Sequence, residues 1–292
     1  MARHIRVPGI VDLVRAPDPA EIRALDEEPR IDRRFVARGP LVNRLITRRI
    51  RRWFQVNGLP LPSLAPRGDA VRAAEQARLA DRLVSRPGHP LWTDEQIGPL
   101  VDFVLDRGSR ENAGIAVQRI VGRQFHPDYE ADRASWRAAE IIDKFRDGFS
   151  PIQLVWLISG RLRRARDLLQ ERARQDRWAM HGTAIGVHGI VHALERMRAL
   201  RAEPGAASLA DEAVLGRCLA PPRQVPRTVE AMLSTPAAAR RLRPGAIVLF
   251  ELGAAWPQAP DPEMVFMHGH WNACPAQTLV VGLLKDVWHK AV

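Results

Sequence analysis

The residue whose setting points most clearly to chemistry is Cys274. It lies in a glycine-containing, aromatic-flanked loop that runs from Phe266 to Gln277 and precedes an apolar segment with a helical pattern. A thiolate displayed in this way is a good ligand for heme iron. Pro275 suits the first turn of the following helix, where its missing N–H is not needed. The alternative is a buried structural cysteine, the most common state of a thiol outside a disulfide.

A second candidate site lies in the segment 179–195. His188 and His192 are separated by one helical turn, which allows two imidazoles on one helix face to bind a single metal ion. His268 or His270 would supply a distant third ligand. This non-heme metal site is an alternative prediction, because a bare His-x-x-x-His pattern arises easily by chance.

Small residues recur in the same segment, at Ala179, Gly182, Gly186 and Gly189. In a helix they would let a flat cofactor approach the backbone closely. Tight packing between two helices explains them equally well, so both interpretations stay open. The sequence contains no Gly-rich phosphate loop, no Gly-x-Ser-x-Gly elbow and no Cys-x-x-Cys pair.

The composition is that of an ordinary globular protein with a strong preference for arginine. The 292 residues are 46% hydrophobic and 26% charged, with a formal net charge of +11. The arginines are spread along the chain and interleaved with acids, which argues against specific nucleic-acid binding. With two cysteines, no secretory signal and no apolar run of roughly 18 residues, we expect a cytoplasmic protein without a transmembrane segment.

One stretch concentrates the positive charge, with arginines at positions 44, 48, 49, 51 and 52. Val42, Ile46, Ile50 and Trp53 recur there at helical spacing, which predicts a basic amphipathic helix. We expect its apolar face to join the core and its basic face to lie in solvent. An acidic protein partner or a membrane surface is the alternative interpretation of the basic face.

Helical patterns dominate the rest of the chain. Asp18 is the expected N-cap of a first helix, and Thr93 with Gln96 forms an expected capping box of another. A Pro-rich linker is expected over residues 58–68, and a strand signal occurs only in the last third, at 246–252. Helices are expected over 19–25, 40–55, 69–85, 93–108, 114–122, 132–145, 161–177 and 181–200. The stretch that ends at residue 200 is either one long helix or two helices with a break near Gly182.

The last 80 residues contain an ordered set of features. These are the pair Pro221 and Pro222 leading to Arg227, Pro244-Gly245 before the strand, Asp261-Pro262, then Phe266, Gly269, Cys274 and the apolar helix. This order resembles the C-terminal part of the cytochrome P-450 family. Gly269 lies one residue further from the cysteine than in the family. The family's Glu-x-x-Arg is replaced by Glu212 and Arg217, with two more residues between them.

The resemblance implies a mainly α fold. We expect a helical, P-450-like single domain over residues 1–292 with a small β element near the C-terminus. It implies heme b, with Cys274 as the iron ligand and Arg227 as a partner of the heme propionates. Phe266, Gly269 and His268 would complete the cofactor-binding residues around the cysteine loop and the propionates.

The resemblance also assigns the distal side of the heme. Gly182 would let the helix approach the cofactor, and Thr183 with His181 would act as the catalytic groups near bound oxygen. The implied activity is that of a monooxygenase or peroxygenase on a small apolar substrate. An acidic redox protein is a possible partner. A catalytically degenerate binding protein of the same descent, or a metal enzyme that uses His188 and His192, are the alternatives.

Overall fold

The structure is a computed structural model that divides the chain into two compact units. The first comprises Met1–Ala73 and Pro221–Ala273, and the second comprises Ala74–Ala220 and Cys274–Val292. The single-domain organisation expected for residues 1–292 stays a prediction. Among the described residues, no helix combines the length and the hydropathy that crossing a bilayer requires. The structure describes residues 3–84, 90–146, 151–235, 238, 241–258, 265–266, 271 and 273–292.

The first unit is built around a five-stranded sheet in the order β1-β2-β7-β6-β3. Strands β2 and β7 pair in parallel, and the other neighbours pair antiparallel. A separate hairpin joins β4 and β5. The strands are β1 His4–Val7, β2 Val11–Ala16, β3 Ile31–Asp32, β4 Gln55–Val56, β5 Leu59–Pro60, β6 Val225–Val229 and β7 Ile247–Phe250.

The core of the first unit forms because β2 alternates between buried and partly exposed residues, as a strand with one covered face should. Val14 and Ala16 are fully buried and pack in one cluster with Ile22 of helix α1 and Phe250 of β7. Helix α1 begins where expected, because the Asp18 carboxylate accepts a hydrogen bond from the backbone of the first turn. The helices of this unit are α1 Pro19–Glu27, α2 Leu41–Trp53 and α12 Leu252–Ala255, and α3 Ala70–Arg82 crosses the division between the units.

The sheet is larger than the small C-terminal element that the sequence predicts. The predicted strand is present as β7, but β1, β2 and β3 come from the first 32 residues. The sequence of β2 does not show a clear alternation of apolar and polar residues, because its inward face includes a charged residue, Asp12. That carboxylate is buried, and it lies 2.8 Å from Nε2 of His4 on β1. A buried polar residue with a local partner therefore concealed a strand from a purely hydrophobic pattern.

The Pro-rich segment 58–68 packs inside the first unit. It contains β5 and a 3₁₀ turn, Pro62–Leu64, and Leu61 between them is buried. The basic helix is present as α2, and Trp53 of the expected inward face is buried, but the rest of that face differs from the prediction. Asn43 and Thr47 are fully buried, whereas Val42, Ile46 and Ile50 are only partly covered.

The second unit is helical. Helices α4, α5, α10 and α13 pack on one another, and α6 packs on α8. The capping box at Thr93 and Gln96 is formed as predicted. The helices are α4 Asp94–Val104, α5 Arg110–Arg123, α6 Arg133–Arg146, α7 Pro151–Ile158, α8 Arg161–Arg172, α9 Arg177–His181, α10 Val187–Arg201, α11 Asp211–Cys218 and α13 Gln277–Ala291.

Gly114 tests the packing of the second unit. A Cβ atom at this position of α5 would lie 2.4 Å from the Trp136 ring of α6, so Gly114→Ala should destabilise the protein. We expect a loss of about 1–3 kcal/mol in the free energy of unfolding, measured by denaturant titration. Gly189→Ala in α10 is the control, because its Cβ meets nothing within 4 Å. The control should be neutral or stabilising, and an equal loss in both variants would contradict the described packing.

Candidate functional site

A cluster of guanidinium groups surrounds Trp271, the indole of the cysteine loop. The Arg33, Arg67 and Arg72 guanidinium carbons lie 4.4, 5.0 and 6.0 Å from the ring centroid. The indole Nε1 donates a hydrogen bond to the backbone oxygen of Asp26 at 3.3 Å, and the Trp271 carbonyl accepts one from Nη1 of Arg72 at 3.0 Å. These contacts fix a residue that precedes Cys274 by three positions in the chain.

Arg227 belongs to the same cluster and is buried with its carboxylate partner. Its Nη2 lies 3.3 Å from Oδ1 of Asp26, and the side chains are 3% and 1% exposed. A second carboxylate, Asp32, accepts hydrogen bonds from the backbone N–H groups of Arg33 and Arg67. We call this group the arginine–tryptophan cluster; it consists of Arg33, Arg67, Arg72, Arg227 and Trp271 with Asp26 and Asp32.

Sheet pairing and helix ends bring the cluster together. In the β3–β6 ladder Asp32 pairs with Thr228. Arg33 and Arg227, the next two residues in this register, therefore lie just beyond the end of the ladder. Arg72 lies in the first turn of α3, where its backbone N–H donates to the Asp69 carboxylate. The Arg72 and Arg33 side chains also donate to the carbonyls of Pro62 and Ser63, which holds both guanidinium groups in place.

Positive and negative side chains lie close together in the cluster. Among the described residues, the four guanidinium groups accompany two buried carboxylates, Asp26 and Asp32, and Arg34 lies 3.1 Å from Asp32 at the surface. Burial lowers the pKa of Arg33 well below its ordinary value, and the positive charges of Arg227 and Arg72 lower it further. Burial also lowers the pKa of Arg227, against the opposing effect of Asp26. Guanidinium groups gathered in this way are donors that suit an anion such as a carboxylate.

The two cysteines differ in their surroundings. Cys274 is exposed and stands just before α13, whereas Cys218 at the end of α11 is buried. Burial raises the pKa of the Cys218 thiol to about 11. A thiol must be deprotonated to bind a metal, so Cys274 is the cysteine whose accessibility suits a metal ligand.

The predicted distal residues lie on one continuous helical stretch. α9 passes into α10 through a π-helical segment, Gly182–Gly186, so helical structure continues through Gly182, where a break was one of the two expectations. The Thr183 hydroxyl is buried and donates to the Ala179 carbonyl at 2.7 Å. Gly182 serves helix packing, because a Cβ there would lie 3.1 Å from Val121 and 3.3 Å from Phe125. The distal roles of His181, Gly182 and Thr183 stay predictions.

The other residues predicted to bind the cofactor lie in different parts of the structure or outside the described residues. Phe266 is buried, which suits a residue that supports the cysteine loop. Gly269 and His268 lie outside the described residues. Of the predicted binding residues that the structure describes, Arg227 lies in the arginine–tryptophan cluster.

The histidine pair of the alternative metal site has two different environments. His188 is buried against Trp136, with ring centroids 5.0 Å apart. The His192 side chain is 52% exposed, and its Nδ1 lies 2.8 Å from Oε2 of Glu195. The described part of the chain contains no group of three or more His, Cys, Asp or Glu residues that could hold a metal ion.

Solved structures share this fold. A cytochrome P450 enzyme for C–S bond formation in chuangxinmycin biosynthesis matches with a TM-score of 0.58 and 11% identity, over 96% of this chain and 79% of that chain. A myxobacterial cytochrome P450 in complex with myristic acid gives 0.54 and 16%, over 99% and 86%. The fold is that of a cytochrome P450. A thermophilic cytochrome P450 from Sulfolobus tokodaii gives 0.53 and 13%, over 98% and 87%.

The likeness to cytochrome P450 is one of fold, since the sequence identities are low. No protein-family model matches the chain. No curated protein sequence matches it either. The residues at the place of the Glu-x-x-Arg pair have other partners: Arg217 binds Glu203 at 2.6 Å, and the largely exposed Glu212 lies 3.8 Å from Lys285.

Sequence reasoning missed most of the arginine–tryptophan cluster. It identified Arg227 but not Arg33, Arg67, Arg72 or Trp271, because arginines are common throughout this chain. Asp26 and Asp32 are distant in sequence from Arg67, Arg72 and Arg227. The only local signal was Trp271 itself, an aromatic residue in the loop just before the cysteine.

Asp26→Asn tests the burial of the cluster. The variant removes the carboxylate that pairs with the buried Arg227 guanidinium, so we expect a loss of about 3 kcal/mol in the free energy of unfolding. Asp128→Asn is the control, because Asp128 and its partner Arg174 are both exposed. It should change stability by less than about 1 kcal/mol. Equal effects on denaturant midpoints would contradict a buried ion pair at Asp26.

Thiol labelling tests the two cysteine environments. At neutral pH in the native state, iodoacetamide should modify Cys274 and leave Cys218 unmodified until the protein unfolds, because burial and a pKa of about 11 keep Cys218 protonated. Mass spectrometry of Cys274→Ser and Cys218→Ser variants identifies the modified residue. Rapid native labelling of the Cys274→Ser variant would contradict the buried position of Cys218.

Proposed function

We propose that this protein binds heme b through Cys274 and acts as a heme-thiolate oxidoreductase. The observation that carries the proposal is the arginine–tryptophan cluster, in which four guanidinium groups lie together with Asp26 and Asp32 around Trp271. Heme b has two propionate groups, which are ionised at neutral pH and can accept hydrogen bonds from guanidinium groups. The cytochrome P450 fold supports the same conclusion.

Each residue of the proposed site has one task. Cys274 supplies an exposed thiol that can become a thiolate ligand to iron. Arg227, Arg33, Arg67 and Arg72 provide planar donors, and such groups bind carboxylates through paired hydrogen bonds. Bound heme with a thiolate ligand supplies oxygen- or peroxide-dependent oxidation.

Phe266, Gly269 and His268 keep supporting roles in the proposal, around the loop that presents the cysteine. Phe266 contributes a buried ring beside that loop. The substrate class is a small apolar molecule, in line with the myristic acid in the myxobacterial neighbour. Thr183 and His181 are the proposed distal groups, and an acidic redox protein is the proposed electron source.

A non-catalytic heme-binding protein is the second candidate, and one observation favours it. The Thr183 hydroxyl is engaged with the Ala179 carbonyl inside the helix, so a role in moving protons requires it to release that bond. Oxidation of an apolar test substrate such as laurate with peroxide separates the candidates. Heme binding with product formation supports the enzyme, and heme binding without product supports the binding protein.

The proposed ligand is tested by the carbon-monoxide difference spectrum of the reduced protein, after expression with a heme precursor. We expect the Soret band of a thiolate-bound heme in the wild type and in Cys218→Ser, and its loss in Cys274→Ser. Cys218 is the matched control because its buried thiol is protonated at neutral pH. A protein that takes up no heme, or a Cys274→Ser variant with an unchanged band, would overturn the proposal.

The proposed propionate site is tested by Arg72→Gln. Loss of a charge-assisted donor should weaken heme binding about tenfold or more, measured by titration of the apoprotein with hemin. Arg78→Gln on the same helix is the control, because that side chain is exposed and donates only to the Ala74 carbonyl of its own helix. Equal affinities for the two variants, both with wild-type unfolding midpoints, would remove Arg72 from the site.

A further inference from the structure

The first unit exposes aliphatic side chains at one end of its sheet. Ile10, at the turn between β1 and β2, is 51% exposed, and Val7 is 44% exposed. On α2, Leu41 and Leu45 are 49% and 55% exposed. These exposed fractions are high for large aliphatic residues in a folded protein. The four side chains together form an apolar patch, unlike single exposed aliphatic residues scattered over a surface.

The hairpin turn and α2 are directly connected. The backbone N–H of Leu41 donates to the Gly9 carbonyl at 3.0 Å, and that of Val42 donates to the Ile10 carbonyl at 2.8 Å. These bonds satisfy helix N-terminal donors and hold the turn beside the first turn of α2. A Cβ at Gly9 would meet nothing within 4 Å, so the turn projects into open space.

The orientation of α2 is fixed by polar contacts on its buried face. The Asn43 side chain accepts a hydrogen bond from the backbone of Asp12 and donates to the carbonyls of Asp12 and Gly245. Leu41 and Leu45 lie two residues on either side of Asn43. Since each helical residue advances by about 100°, both leucines point away from the buried face.

Arginines continue the outward face of the same helix. Arg48 and Arg52 follow Leu41 and Leu45 on the side opposite Asn43, and both are exposed. Neither segment 3–11 nor segment 36–54 contains an acidic residue. We call Val7, Ile10, Leu41, Leu45, Arg48 and Arg52 the hairpin–helix patch.

We propose that the hairpin–helix patch binds an anionic phospholipid surface. Aliphatic side chains that enter the acyl boundary, next to arginines that bind headgroup phosphates, are the two elements of an interfacial membrane site. A protein interface of this size would be expected to carry aromatic anchors, and the patch has none. The positive charge favours an anionic partner, and the exposed aliphatic residues favour an apolar one.

The experiment is flotation of the purified full-length protein with vesicles of phosphatidylcholine that contain about one quarter phosphatidylglycerol. We expect the protein to float with these vesicles at low salt and not with pure phosphatidylcholine. Arg48→Gln/Arg52→Gln should weaken partitioning about tenfold or more. Ile10→Ser/Leu45→Ser should weaken it to a similar extent by removing buried apolar area.

Arg163→Gln/Arg164→Gln is the matched control, since it removes two exposed arginines from α8 in the second unit. The control should partition as the wild type does, and circular dichroism and unfolding midpoints check that each variant folds. Absence of flotation with anionic vesicles would overturn the proposal and leave an acidic protein as the occupant. Equal weakening in the control variant, or equal binding to neutral vesicles, would also overturn it.

Discussion

The structure of the first unit depends on how buried positive charge is held around Trp271. Charged groups are costly to bury unless opposite charges and hydrogen bonds compensate them. Asp26 and Asp32 oppose the charge of the arginines, and two carbonyls of the Pro-rich segment accept hydrogen bonds from Arg33 and Arg72. In the proposed function, the same guanidinium groups also bind the heme propionates.

The sheet provides the framework for that cluster. Asp32 and Arg33 come from the N-terminal part of the chain and Arg227 from the C-terminal part, and the β3–β6 ladder brings them together. The same sheet places Asn43 against the backbone of Asp12 and Gly245, which turns the leucines of α2 outward. One architectural feature therefore positions both the proposed propionate site and the proposed lipid-binding patch, which otherwise use different residues and different chemistry.

Much of the helical part of the fold was predictable, because local signals determine it. Asp18 and Thr93 cap helices where the sequence indicates, and the order of features around Cys274 led to the cytochrome P450 fold. The larger sheet and the inward face of α2 were not predictable in this way. Both depend on buried polar residues, Asp12 and Asn43, whose partners are a histidine on the neighbouring strand and backbone atoms. The cluster around Trp271 was not predicted from the sequence for the same reason.

The central claim is that the arginine–tryptophan cluster is completed by the two carboxylates of heme b. The most direct measurement compares the affinity of the apoprotein for hemin and for hemin dimethyl ester, in which both propionates are neutral. The account predicts that esterification weakens binding by at least about a hundredfold, since two charge-assisted contacts of roughly 1.5 kcal/mol each are lost. Equal affinities for the two forms of heme would contradict it.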